Sequence, residues 1–257
     1  EGWLADTNLD ANFTIIEPHQ THLGWLQGQK TVRLYADCAA AIADGAPVST
    51  MIVLAVKPQM MDDAIGGYAR FVSNSCVFVS IAAGKTIQYF ENHLGADAAI
   101  VRAMPNTPAA ISQGITAIVG NAHVDAKGMD EAEELLSAVG DVVRLDEEAQ
   151  IDAVTGVSGS GPAYVFHMIE TMAAGGVAQG LSPELALKLA TATVAGAGAL
   201  AKSADEGPDQ LRINVTSPNG TTQAALDVLM NKKDGFPVLL KRAVAAAADR
   251  SRELSNG

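Results

Sequence analysis

The stretch STMIVLAVKP, residues 49–58, decides the fold. From Met51 to Val56, six apolar residues run without a polar break. A strand with one wet face alternates, whereas a continuous apolar run has no wet face and must be covered on both sides. Lys57 ends the run, and Pro58 pre-sets the start of a helix. The pattern repeats in both directions. FTIIEP (13–18), CVFVSIAAG (76–84), AIVRAMPNTP (99–108), ITAIVG (115–120) and DVVRL (141–145) read as further strands. CAAAIAD (38–44), MMDDAIGGYARFV (60–72), TIQYFENHL (86–94) and DAKGMDEAEELLSAV (125–139) read as the helices between them. Such alternation predicts an α/β fold on a doubly wound, mainly parallel sheet.

Beyond RLDEEAQIDAVTG (144–156) the pattern changes. PAYVFHMIETMAAGGVAQG (162–180), PELALKLATATVAGAGALAKSAD (183–205), TQAALDVLMNKK (222–233) and FPVLLKRAVAAAADRSREL (236–254) read as helices rich in Ala and Gly. Small residues let helices pack closely, within or between subunits. The boundary is placed near residue 146, giving an α/β domain over 1–146 and an all-α domain over 147–257. Two domains suit 257 residues that are 48% hydrophobic. A net charge of −12 argues against nucleic acid or an anionic membrane as partner. No segment reads as a membrane span and no signal peptide is recognisable. Cys38 and Cys76 have neither CxxC spacing nor a His partner, so they read as reduced thiols of a cytoplasmic protein, and no metal site is expected.

In open α/β sheets, ligands lie outside the carboxyl ends of the strands. Those ends are small or rigid here. Ala55, Val56, Lys57 and Pro58 follow one strand, Ala82, Ala83 and Gly84 another, and Asn106 sits between Pro105 and Pro108 after a third. Small residues let a flat ring lie on the backbone. Each turn alone also suits an ordinary connection, but several in one sheet favour a cofactor crevice. Lys57 suits a phosphate or solvent. FTIIEP reads as the second strand, with Glu17 at its end. That carboxylate suits an adenosine ribose while repelling a 2′-phosphate, or else it is simply solvated. The G-x-G-x-x-G fingerprint of such crevices is absent. The chain opens EGWLADTNLDANFTIIEP, without Met and in helix-like sequence, so the fingerprint is expected upstream. A chain truly starting at Glu1 is expected to bind dinucleotide weakly.

Two further segments carry polar chemistry. VTGVSGSGPAYVFHMIE (154–170) has no G-x-S-x-G register, so it is no nucleophile elbow. Ser160 reads as an N-cap and Pro162 as first-turn proline of a helix that a Gly-rich loop leads into. The glycines resemble a loop of β-hydroxyacid dehydrogenases, but Val165 stands at the position of their catalytic lysine. His167 reads as a helix residue. In NVTSPNGTTQAAL (214–226), Pro218, Asn219 and Gly220 form a turn, and Thr221 or Thr222 caps the helix that follows. Free amides at Gly220, Thr221 and Thr222 would then make a carboxylate-sized anion site beside a hydroxyl. A plain capped helix is the alternative.

Taken together, LAVKPQ, SIAAG, RAMPNTP, IDAVTGVSGSGPAYVF, GLSPELA and LRINVTSPNGTT resemble the pyrroline-5-carboxylate reductases over nearly the whole chain. Asn219 replaces the second residue of the family's S-P-G-G-T-T. Asn tolerates positive φ next best after Gly, so the turn is expected to survive. The resemblance implies a Rossmann domain followed by a helical dimerisation domain, with NAD(P)H and 1-pyrroline-5-carboxylate as cofactor and substrate. It places Ala55, Val56, Lys57, Pro58, Ala82, Ala83 and Asn106 at the cofactor, joined by Asn214 from the partner subunit. It gives Ser217, Gly220, Thr221 and Thr222 to the substrate, with Thr222 at the ring nitrogen as the catalytic group. It also implies a homodimer that assembles further as a pentamer of dimers. Glu17 favours NADH over NADPH. The alternatives are a reductase of another small imine or oxo acid, or a dinucleotide-binding assembly protein without turnover. The missing lysine at 165 supports an imine, because nitrogen can arrive already protonated.

Overall fold

The computed structural model describes residues 2–5, 11–26, 28–46, 49–73 and 75–255; Glu1, which opens the amino-terminal stretch, lies outside them. The chain divides into two compact units. One carries residues up to Val154 and again from Ser251 onward, and the other Thr155–Arg250. This division lies beyond the boundary expected near 146. Ile151 is 1% exposed in the core of the first unit, and Ser251 Oγ donates to Asp152 Oδ1 at 2.6 Å.

The first unit runs α1 (Gly2–Ala5), β1 (Phe13–Ile16), β2 (Val32–Tyr35), α2 (Cys38–Ala43), β3 (Met51–Leu54), α3 (Met61–Ile65), β4 (Val77–Ser80), α4 (Ile87–Leu94), β5 (Ala99–Met104), β6 (Gly114–Gly120), α5 (Ala126–Ser137), β7 (Gly140–Arg144) and α6 (Gln150–Val154). Strands β3 to β7 form a five-stranded sheet in chain order. Every pairing in it is parallel except β5 with β6. The run FTIIEP was expected in the same sheet. Among the described residues, β1 instead pairs in parallel with β2 alone. β2 is not among the strands expected from sequence.

Alternation along β4 and β5 explains their continuous apolar runs. Phe78 and Ile100 point into one core layer with Leu54, Met61, Ile65 and Phe90. Val79, Val101 and Ala103 point into the other, with Ala132 and Leu136 of α5. Both layers exclude water, so neither strand has a polar face. Short caps fix the helix starts. Asp37 accepts from the Ala40 amide, Thr86 Oγ1 from Tyr89 and Asp125 from Gly128, each a contribution of about 1 kcal/mol.

The second unit is helical: α7 (Gly161–Ala178), α8 (Pro183–Ser203), α9 (Pro208–Asn214), α10 (Thr221–Leu229) and most of α11 (Phe236–Ser255). Its buried apolar residues, among those described, are Ala186, Ala190 and Ala248. No large side chain is fully buried within it. The segment read as a Gly-rich loop is instead a π-helical turn over Thr155–Gly159, with the Ser160 amide donating to the Thr155 carbonyl at 2.8 Å. Ser160 does hold the N-cap position of α7, although its side chain makes no capping bond. Glycine is required at 156, where a Cβ would lie 2.7 Å from the Val244 carbonyl oxygen. The membrane reading also needs correction. The 21 residues of α8 are long and apolar enough to cross a bilayer by length and composition alone. Much of their apolar character comes from Leu185, Leu187, Leu189, Val194 and Leu200, while the Ala and Gly between them suit close packing on α7.

Gly140 opens β7 at φ +144°, and a Cβ there would overlap the Gly114 carbonyl. Gly140→Ala should therefore lower stability by about 3 kcal/mol, with clash and backbone strain combined. A denaturant titration reads this directly as a shift in midpoint. Burial pushes the Cys76 thiol up to about 11, so a thiol reagent should label Cys38 in the folded protein and reach Cys76 only on unfolding.

Candidate functional site

Because β3, β4 and β5 are parallel neighbours, their carboxyl ends open on one edge. Leu54, Ser80 and Arg102 lie in register across the three strands. The turns after β3 and β4 therefore begin level, at a strand spacing of ~4.8 Å, and the turn after β5 begins two residues further on, past Met104. Ala55 is exposed and Val56 half-buried against the core. Lys57 is exposed and extended, and Pro58 starts a short 3₁₀ turn that runs into α3. In the next turn the buried Ala82 donates its amide to Ser80 Oγ at 3.2 Å, and Ala83 is exposed. Gly84 has φ +75°, and a Cβ there would sit 3.3 Å from Leu254 Cβ. In the third turn the Asn106 side chain accepts the Ile115 amide at 2.9 Å, and its carbonyl accepts from Ala109. Asn106 thus holds the shape of the turn that carries it.

Glu17 follows β1 directly. Its amide donates to the Tyr35 carbonyl, and its Oε1 accepts the His19 amide at 2.8 Å. The carboxylate is thereby fixed at the strand end.

Two side-chain groups beside these turns were not singled out from sequence. Arg102, its side chain 5% exposed, pairs with Glu148 at 2.7 Å. The same Glu148 oxygen accepts the Ile87 amide at 2.8 Å. Near the Gly84 turn, Lys85 lies 3.3 Å from Asp62 and 4.0 Å above the Tyr89 ring. Tyr89 hydrogen-bonds Asp62 through its hydroxyl. A cavity of about 350 Å³ opens among Asp62, Lys85, Tyr89, His93 and Leu254. Burial and the Asp62 carboxylate hold the Tyr89 phenol far above its ordinary value, while the Tyr89 hydroxyl and Lys85 hold Asp62 below the usual carboxylate range. The tyrosine keeps its proton at any working pH, so the group is a clasp between α3 and α4 and no proton donor. Among the described residues no cluster of His, Cys, Asp or Glu is arranged to hold a metal ion.

In the helical unit, the Gly220 amide donates to the Ser217 carbonyl at 3.0 Å. Asn219 takes φ +59° within this turn, and the turn survives the family's missing glycine as expected. The capping expectation needs correction. Gly220 is the N-cap of α10, and neither threonine caps it. With Gly220 extended (φ −84°, ψ 173°), Thr221 and Thr222 become the first two helical residues. Since the Gly220 amide is engaged in the turn, the free first-turn donors are those of Thr221, Thr222 and Gln223. Ser217 is exposed and Thr222 half-buried. Asn214 closes α9 and accepts from Gln210 at 2.8 Å. His167 is exposed and pairs with Glu170.

Residues 148–254 match the family described as pyrroline-5-carboxylate reductase dimerisation. The chain is 43% identical over 230 residues to the pyrroline-5-carboxylate reductase of Pseudomonas aeruginosa, covering 90% of this chain and 82% of that protein. It is 45% identical to the Synechocystis enzyme of the same name, over 93% of this chain and 86% of the relative. Among solved structures, the pyrroline-5-carboxylate reductase of Coxiella burnetii superposes with a TM-score of 0.89 at 32% identity, over 99% and 92% of the two chains. The pyrroline carboxylate reductase of Plasmodium falciparum, solved with NADP bound, superposes at 0.74 with 29% identity, over 88% and 83%.

The left-handed residue in the Ser217–Gly220 turn sets a test. Asn219→Gly should leave stability within about 0.5 kcal/mol of wild type, whereas Asn219→Val should cost about 1–2 kcal/mol. Chemical denaturation of the two variants side by side distinguishes them.

Proposed function

Because the chain belongs to the pyrroline-5-carboxylate reductase family, we propose that it reduces 1-pyrroline-5-carboxylate to L-proline, with NAD(P)H as hydride donor. The observation that carries this reading is that three parallel neighbouring strands in register open three turns, two of them of small residues, on one sheet edge. Exposed Ala55 and Ala83 leave the backbone open to a flat ring there, so the residues present fit a nicotinamide dinucleotide. When bound, NAD(P)H supplies the hydride that reaches the imine carbon.

The remaining work falls to the chain. Ala55, Val56, Lys57, Pro58, Ala82 and Ala83 would bind and orient the cofactor, and Asn106 would hold its turn in place. Asn214 would reach the cofactor from the partner subunit. The first-turn amides of α10 at Thr221 and Thr222 would hold the substrate carboxylate at the positive helix end. Gly220 and Ser217 would shape that pocket. The Thr222 hydroxyl would hydrogen-bond the ring nitrogen, which carries its proton on arrival, so that positioning supplies most of the rate. The same scaffold would serve a reductase of another small imine or oxo acid. Assay with pyrroline-5-carboxylate and NAD(P)H separates these readings, and a chain that binds dinucleotide without turnover would support an assembly role.

The functional domains we assign are a dinucleotide-binding domain over 1–146 and a dimerisation and substrate domain over 147–257. A homodimer suits the helical unit, where Phe166, Leu187, Leu200 and Val228 are 59%, 51%, 55% and 71% exposed. Apolar residues in such number on helices without a large buried core favour cover by a second copy. We further propose a pentamer of dimers, and a cytoplasmic location in keeping with the free thiols of Cys38 and Cys76.

Thr222→Ala should lower kcat about tenfold to a hundredfold, since the lost hydrogen bond is worth about 1–3 kcal/mol. Dinucleotide affinity should stay near wild type, and an unchanged kcat at saturating substrate refutes the role. For cofactor choice, the fixed Glu17 carboxylate opposes a 2′-phosphate. At ~4–6 Å and an effective dielectric of about 20, one such contact is worth about 3–4 kcal/mol before screening. NADH should be preferred about tenfold, and Glu17→Ser should erase that preference. The ratio of kcat/KM for the two cofactors reads it, and a wild type that prefers NADPH overturns it.

A further inference from the structure

We propose that Glu148 is a positioning residue for the dinucleotide, holding the end of the turn after β4 against strand β5. The inference rests on the cofactor reading above. Its geometry lies wholly within the first unit. Glu148 Oε1 accepts two donors. One is the amide of Ile87, the first residue of α4, three residues beyond Gly84. The other is the guanidinium of Arg102 on β5, two residues before Met104 and the proline-bounded turn. A single carboxylate oxygen therefore ties the start of α4, where the turn after β4 ends, to strand β5 just before its own turn.

The carboxylate is itself held in place. The Gln150 side-chain oxygen accepts the amides of Asp146 and Glu147 at 3.0 and 3.1 Å. The Glu148 carbonyl accepts from Ile151, whose side chain is 1% exposed in the core. Glu148 is thus presented from a closed turn on a buried anchor. It replaces water for an amide and a guanidinium that have little access to it, and a charge-assisted bond of this kind is stronger and more directional than a neutral one. Losing it would let the start of α4 drift from β5. Elements that must be ordered at the moment of binding take that cost from the affinity, and about tenfold corresponds to the loss of one charge-assisted hydrogen bond.

The test is the dissociation constant for NADH and NADPH, measured by calorimetry without the imine, alongside a thermal melt for each variant. Glu148→Ala should bind about tenfold or more weakly while still melting cooperatively. Glu148→Gln should stay within about threefold of wild type, because its amide oxygen still accepts from Ile87 and Arg102. If the alanine variant does not fold, the double change Arg102→Met with Glu148→Leu leaves no buried charge unpaired and should weaken binding to the same degree. The KM for the imine should move far less than that for the cofactor. A folded Ala or double variant with dinucleotide affinity within about twofold of wild type overturns the proposal, as does a Gln variant as weak as Ala. A wild type that binds dinucleotide but fails to reduce the imine overturns the proposed activity and leaves this comparison intact.

Discussion

Neither β4 nor β5 has a side that can face water. From that constraint the rest of the first unit follows. Phe78 and Ile100 require one apolar layer, and Val79 and Val101 require another. Helices must therefore cover both faces, and the crossovers that join β3, β4 and β5 return the chain in the same direction. Three strand ends consequently open on one edge. The crevice is a by-product of how the core is buried, and its floor needs no large side chain to form.

The polar groups around that edge divide by task. Asn106 and Ser80 accept from backbone amides, Glu148 accepts from an amide and the Arg102 guanidinium, and the Asp62–Lys85–Tyr89 clasp joins two helices. None of these is arranged as an acid poised to give up a proton. This suits the reduction of an already protonated imine, where holding two reactants in place matters more than proton transfer.

Legibility in the sequence followed the local strength of each signal. β3, β4 and β5 announce themselves because burial on both faces removes polar alternation. β2 does not, since Val32–Tyr35 is four residues with Arg33 among them. VSGSG reads locally as a loop because Gly and Ser favour turns, yet close packing against Val244 keeps Gly156 within a helical turn. In SPNGTT the turn was readable and the cap was not. A threonine is a better N-cap by type than glycine, but the positive φ of Asn219 delivers Gly220 to the extended geometry first. The Arg102–Glu148 link joins residues 46 positions apart, and no spacing rule brings such a pair together.

The helical unit has a thermodynamic consequence of its own. With Ala186, Ala190 and Ala248 as its buried apolar residues, it gains little from its own interior against the entropy of ordering long helices. Most of its apolar burial must then come from association. For such a protein, folding and assembly are one equilibrium, and the melting midpoint rises with the logarithm of protein concentration. Dilution alone becomes a denaturant, acting first on the helices and only later on the doubly covered sheet.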